Sequence, residues 1–114
     1  MAVEAAAVLA AFNATLTRIG FAANALAAMN QNQVNSTASL IGMHKDDVEQ
    51  LMKILRGGQG APIIIVPFMA QKKFVILCYF VNWRTRLSES IAPHLFNDQA
   101  IIQYGCLMAQ EDKY

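Results

Sequence analysis

The stretch that decides the fold is Phe74–Leu87, FVILCYFVNWRTRL. Its first eight residues, Phe74 to Val81, are apolar without a break. Lys72 and Lys73 stand before the run, and Asn82, Trp83, Arg84 and Arg86 stand after it. Such a run has no solvent face, so the rest of the chain or a second copy must cover it. Its β-propensity is high, which keeps a strand over 74–81 as the alternative. The flanks favour a helix. Met69-Ala70-Gln71-Lys72-Lys73 and Trp83 to Leu87 are good or acceptable helix formers, and together they predict one helix over 68–87. Ile76, Phe80, Trp83 and Leu87 would then share one face, and Phe74, Leu77 and Val81 another.

Immediately upstream, Ile63, Ile64, Ile65 and Val66 lie between Pro62 and Pro67. Each proline biases its predecessor toward an extended conformation, so 62–67 reads as a short extended segment or edge strand. Gly57-Gly58-Gln59-Gly60 is the linker-like stretch. It divides a single domain, 1–114, into an N-terminal helical half (1–56) and a C-terminal half (61–114).

In the N-terminal half, Lys45 to Arg56 is a helix with its charges in order. Asp46, Asp47 and Glu49 sit in the first turn, Lys53 and Arg56 in the last, as the helix dipole favours. Val48, Leu51, Met52 and Leu55 form its buried stripe, and Gly57 stops it. Ala2 to Ile19 predicts a first helix with Val8, Phe12, Leu16 and Ile19 inward, ended by Gly20. Phe21 to Asn30 predicts a second, with Leu26 and Met29 inward. Val34 hooks the polar loop that follows to the core, and Ser36 caps a short turn through Leu40 and Ile41. Beyond the decisive stretch, Asn97 caps a last helix from Asp98 to about Gln110. Gly105 within it permits close packing. The expected fold is therefore all-α: a compact bundle of about five helices around a central apolar helix, 68–87.

Apolar residues make up 55% of the chain and charged residues only 15%, an excess that points to a subunit of an assembly rather than a free monomer. Net charge is +1, so no global field draws the chain to nucleic acid or an anionic surface. Local charge is segregated. Lys72, Lys73, Arg84 and Arg86 are all positive, while Glu89, Asp98, Glu111 and Asp112 follow with Lys113 alone opposing them. That pattern allows pairing within one molecule or head-to-tail contact between copies. Cys78 and Cys106 fall in apolar helical patterns, read as buried thiols of a reducing intracellular compartment. The N-terminus reads as a poor export signal, and no stretch reaches the roughly 18 apolar residues that span a membrane.

Leu40-Ile41-Gly42-Met43 matches a hydrophobic-hydrophobic-Gly-hydrophobic hairpin. With Leu16 to Phe21 and Asp47 to Leu51, residues 16–56 resemble the sterile-alpha-motif-like and helix-hairpin-helix group. The resemblance implies either DNA-backbone binding through helix N-terminal amides or protein self-association. Asp46 and Asp47, just after the turn, would repel phosphate and favour self-association. The blocks Leu16–Phe21, Asp47–Arg56 and Leu77–Arg86, with Glu111-Asp112 near the end, also look like helical Gag-like proteins of retroelements. That resemblance implies a shell-forming or polymerising role.

Catalytic chemistry finds no support. His44 and His94 have no partner at metal-ligand spacing, and no nucleophile elbow, phosphate loop or zinc-protease signature is present. Asp46 and Asp47 diverge by about 100° on a helix and cannot act as a pair. No cofactor and no small-molecule substrate is implied. The expectation is a non-enzymatic structural protein that self-associates through Ile64, Phe68, Tyr79, Trp83 and Tyr104. Lys72, Lys73, Arg84 and Arg86 against Glu111 and Asp112 would set the register. The alternative is a nucleic-acid-binding helical module using those same four cations beside Tyr79 and Trp83. Against it, Lys72 and Arg84 lie about 18 Å apart along a helix and flank the buried run rather than line one groove.

Overall fold

A helix of 19 residues, Phe68–Arg86, carries the apolar run. In the computed structural model, residues 2–57 and 63–112 are described, with side chains for 6–57 and 63–111. The elements in order are α1 (Ala2–Ile19), α2 (Ala23–Gln31), a 3₁₀ turn (Thr37–Leu40), α3 (Lys45–Leu55), α4 (Phe68–Arg86), a second 3₁₀ turn (Pro93–Leu95) and α5 (Asp98–Asp112). No strand occurs among the described residues, so 74–81 is helical and the expected all-α fold is the one observed.

The chain itself covers the run. Phe74, Ile76, Leu77, Cys78, Phe80 and Val81 are buried, and only Val75 and Tyr79 are half-buried. α4 touches α1, α3, α5 and the 37–40 turn. Leu55 at the end of α3 lies beside Ile64, just before α4 begins, while the turn before α3 meets Asn82 near the other end of α4. The two helices therefore run antiparallel. α5 packs along α4, where Tyr104 meets Phe80, Gly105 meets Ile76 and Glu111 meets Tyr79.

Local chemistry sets the ends of these elements. Asn97 Oδ1 accepts the Ala100 N–H at 2.9 Å and caps α5 as the sequence predicts. Asp47 accepts the His44 N–H at 3.0 Å, closing the first turn of α3. Val34 is buried, and its N–H bonds the Met29 carbonyl at 2.9 Å, so it does hook the loop after α2 inward. α1 ends at Gly20, whose φ of +117° few side chains tolerate. A Cβ there would also lie 3.1 Å from the Ala70 Cβ, so the end of α1 and the start of α4 touch backbone to side chain. Thr15 Oγ1 donates to the Pro93 carbonyl, and Arg18 donates to the Phe96 carbonyl, tying α1 to the segment before α5. A Cβ on Gly105 would stand 3.2 Å from Ile76 Cδ1, so this glycine serves close packing of α5 on α4.

The core draws on both halves of the chain. Phe12, Leu16, Met29 and Leu40 pack in one cluster with Phe74, Leu77, Phe80, Val81 and Phe96. Aromatic pairs join its parts: Phe21 with Phe74 at 5.5 Å, Phe80 with Phe96 at 5.2 Å, and Phe80 edge-on to Tyr104 at 5.0 Å. Each such pair adds about 0.5–1.5 kcal/mol beyond area burial.

Several expectations need correction. Val8 is exposed, as are Ala6, Ala7 and Ala10 around it, so the buried stripe of α1 begins at Phe12. Leu87 is exposed, because α4 ends one residue before it. Cys106 is exposed, and only Cys78 is a buried thiol. Residues 63–67 form an irregular strap rather than an edge strand. Residues 58–62, which hold most of the glycine-rich linker and the start of the expected 62–67 segment, lie outside the described residues.

Candidate functional site

Two surfaces gather the residues that the sequence singled out. The first is a tip where the 63–67 strap runs into α4. The strap alternates: Val66 is buried and Ile64 half-buried, while Ile63 and Ile65 are 68% and 76% exposed. Two bonds fix this register. The Ile64 N–H donates to the Leu55 carbonyl at 3.0 Å, and Gln71 Nε2 donates to the Val66 carbonyl at 2.8 Å. Phe68 and Met69, in the first turn of α4, are then 74% and 55% exposed. Four large apolar side chains within seven residues thus face outward on one end of the molecule. Isolated exposed apolar residues are ordinary on protein surfaces, but a contiguous group of this size is not. Lys72 and Lys73 stand one turn along α4, and Lys53 and Arg56 at the adjoining end of α3. From residue 50 to residue 88 every charged side chain is positive.

The second surface is a groove of about 670 Å³ over the C-terminal part of α4. Its floor carries Val75, Tyr79 and Trp83; one wall is the 41–46 turn, and the other holds Met108 and Glu111 of α5. Tyr79 and Trp83 pack at 5.8 Å, and the Arg86 guanidinium lies 5.2 Å from the Trp83 ring centre, a cation–π contact. The Tyr79 hydroxyl donates to the Glu111 carboxylate. Asp46, Lys45 and His44 line the rim, so the groove carries both signs of charge.

Asn82 ties the 40–43 turn to α4, a role its sequence context does not announce. Its Oδ1 accepts the Gly42 N–H at 2.7 Å, and its Nδ2 donates to the carbonyls of Leu40 and Met43, each at 3.2 Å. A third carbonyl, Cys78 of its own helix, lies 2.8 Å away. One amide side chain therefore satisfies the polar backbone of a turn laid across an apolar helix. The available signal was a lone carboxamide directly after eight apolar residues. In the helix-hairpin-helix resemblance, amides of this turn would meet phosphate. Here the Gly42 N–H is held by Asn82 and the His44 N–H by Asp47.

The remaining candidates divide sharply. Tyr104 is buried in the core, with Arg84 Nη1 3.3 Å from its hydroxyl, so it offers no surface to a partner. Arg84 is engaged within the molecule. Its Nε donates to the Ser90 carbonyl, its Nη1 lies 3.8 Å from the Glu89 carboxylate, and its guanidinium sits 5.4 Å from the Phe80 ring centre. Within one molecule Arg84 thus pairs with Glu89. The side chain of Asp112 lies outside the described residues. Cys78 borders the groove from beneath, where burial, reinforced by the Asp47 carboxylate, pushes its thiol up to about 12. A thiol so placed is neutral and inert. No group of three or more potential metal ligands occurs among the described residues, and none of their helices is long and apolar enough to cross a membrane. The chain matches no family model, no curated protein and no solved structure at a significant level.

Proposed function

We propose that the chain is a non-enzymatic structural protein that self-associates into a homo-oligomer, filament or shell. The observation that carries this reading is the outward-facing group Ile63, Ile65, Phe68 and Met69. The fold buries most of Phe74 to Val81 with its own residues and leaves this neighbouring group uncovered. At about 25 cal/mol per Å², a face of about 800 Å² per partner provides ample gross drive before the costs of association. The resemblance to helical Gag-like proteins points toward the same polymerising role. The nucleic-acid reading loses support from Arg84, which is occupied by Ser90, Glu89 and Phe80.

Size-exclusion chromatography with light scattering tests the proposal. The mass should rise above that of one chain as concentration increases, and Phe68→Ser should move that rise to higher concentration. A single-chain mass at every concentration, up to the millimolar range, would sink it.

A further inference from the structure

We infer that the apolar tip of one copy docks into the aromatic groove of the next, so that assembly is head-to-tail. This inference rests on the self-association proposed above and names the two surfaces that meet. Charge argues against the simplest alternative, two tips face to face. That arrangement would bring Lys53, Arg56, Lys72 and Lys73 of one copy against the same four cations of another, and like charges juxtaposed at an interface are strongly unfavourable. The tip therefore needs a partner surface that is apolar at its centre and holds carboxylates at its rim.

The groove is such a surface. Tyr79 and Trp83 form an aromatic floor, Met108 is a flexible apolar wall, and Asp46 and Glu111 stand at the edges. Its volume of about 670 Å³ lies within the range of concave sites that accept several side chains. Its cations, Lys45 and Arg86, equal its carboxylates in number, so charge orients the contact and the apolar centre supplies its drive. Arg86 lies over Trp83 at the end away from Tyr79, whereas Glu111 is at the Tyr79 end. A mixed-sign groove meeting a single-sign tip has one favourable direction of entry.

The two surfaces lie far apart on the molecule. Phe68 and Trp83 are separated by about 22 Å along α4, at 1.5 Å per residue. A contact between different surfaces at separate places is heterologous. It leaves a free tip at one end and a free groove at the other, and it grows into a filament or closes into a ring.

Complementation tests this directly. The tip variant Phe68→Ser keeps its groove, and the groove variant Trp83→Ser keeps its tip. Each alone should need about tenfold or more higher concentration to associate, the usual loss at a central contact. Mixed in equal amounts, they should give a 1:1 heterodimer that grows no further. Glu111→Lys, on an exposed side chain, guards against misfolding of the Trp83 variant. It should weaken assembly while leaving circular dichroism unchanged and lowering the thermal midpoint only slightly, by the loss of one exposed hydrogen bond to Tyr79. If both groove variants assemble like the parent while the tip variant does not, the inference fails and self-association stands. If the parent stays monomeric but binds phosphatidylserine vesicles through Phe68, the tip serves a lipid surface, and both readings fail. A parent that does neither also overturns both.

Discussion

Ile63–Met69 and Phe74–Val81 are nearly equal in apolar character and opposite in fate. The second is enclosed by α1, α3, α5 and the 37–40 turn. The first is fastened on one side only, by the Ile64 bond to Leu55 and the Gln71 bond to Val66. Apolar content does not decide exposure here; the number of neighbouring elements does. Helical geometry brings partners to most sides of Phe74–Val81, leaving only the Val75–Tyr79 side half open, whereas a strap at the end of a bundle has few.

Mutations should separate the two regions by magnitude. Phe80→Ala, at the centre of the enclosed run, should cost about 3–5 kcal/mol, measured as a lower urea midpoint. A loss under 1 kcal/mol would mean that the run is poorly packed. Asn82→Ala tests the cover itself. It removes the side-chain partner of the exposed Gly42 N–H and of the Met43 carbonyl, while Leu40 O keeps the Met43 N–H, and a loss of about 1–2 kcal/mol is expected in the same assay. Gly20→Ala probes the seam between the regions, where a Cβ meets both an unfavourable φ and the Ala70 Cβ. About 1–3 kcal/mol should be lost.

Enclosure also makes a prediction for pH. The Cys78 thiol titrates near 9.0 when unfolded and near 12 when folded. Below pH 9 both states hold the proton, and the full stability is present. Between pH 9 and 12 only the unfolded state ionises, so stability falls as pH rises. Urea midpoints at pH 8, 9.5 and 10.5 should decline more steeply for the parent than for Cys78→Ala. In the native protein a thiol reagent should modify Cys106 rapidly and Cys78 only on unfolding. The smallest effect belongs to the tip: Phe68→Ser should change stability by no more than about 0.5 kcal/mol while weakening assembly. A large destabilisation would show that Phe68 is a core residue after all.

The helices were legible because their signals are local. The acidic start and basic end of α3, the Asn97 cap and the stops at Gly20 and Gly57 are each readable within a few residues. The surfaces were less so. Tyr104 and Phe68 look alike as large apolar residues on helices, yet one is in the core and the other outside. Only the packing of α5 against Phe80 and Arg84 distinguishes them. The exposure of Cys106 is hidden in the sequence for the same reason, since α5 is apolar around much of its circumference and periodicity does not say which side faces α4. Asn82 needed knowledge of a turn some forty residues away.

The contact of Gly105 with Ile76 has an evolutionary consequence. Hydrogen at one position and a branched side chain at the other fill a single space between two helices. In any descendant lineage that keeps this fold, a bulkier residue at 105 should be accompanied by a shorter one at 76. The pair would then drift together while each position, viewed alone, looked free to vary.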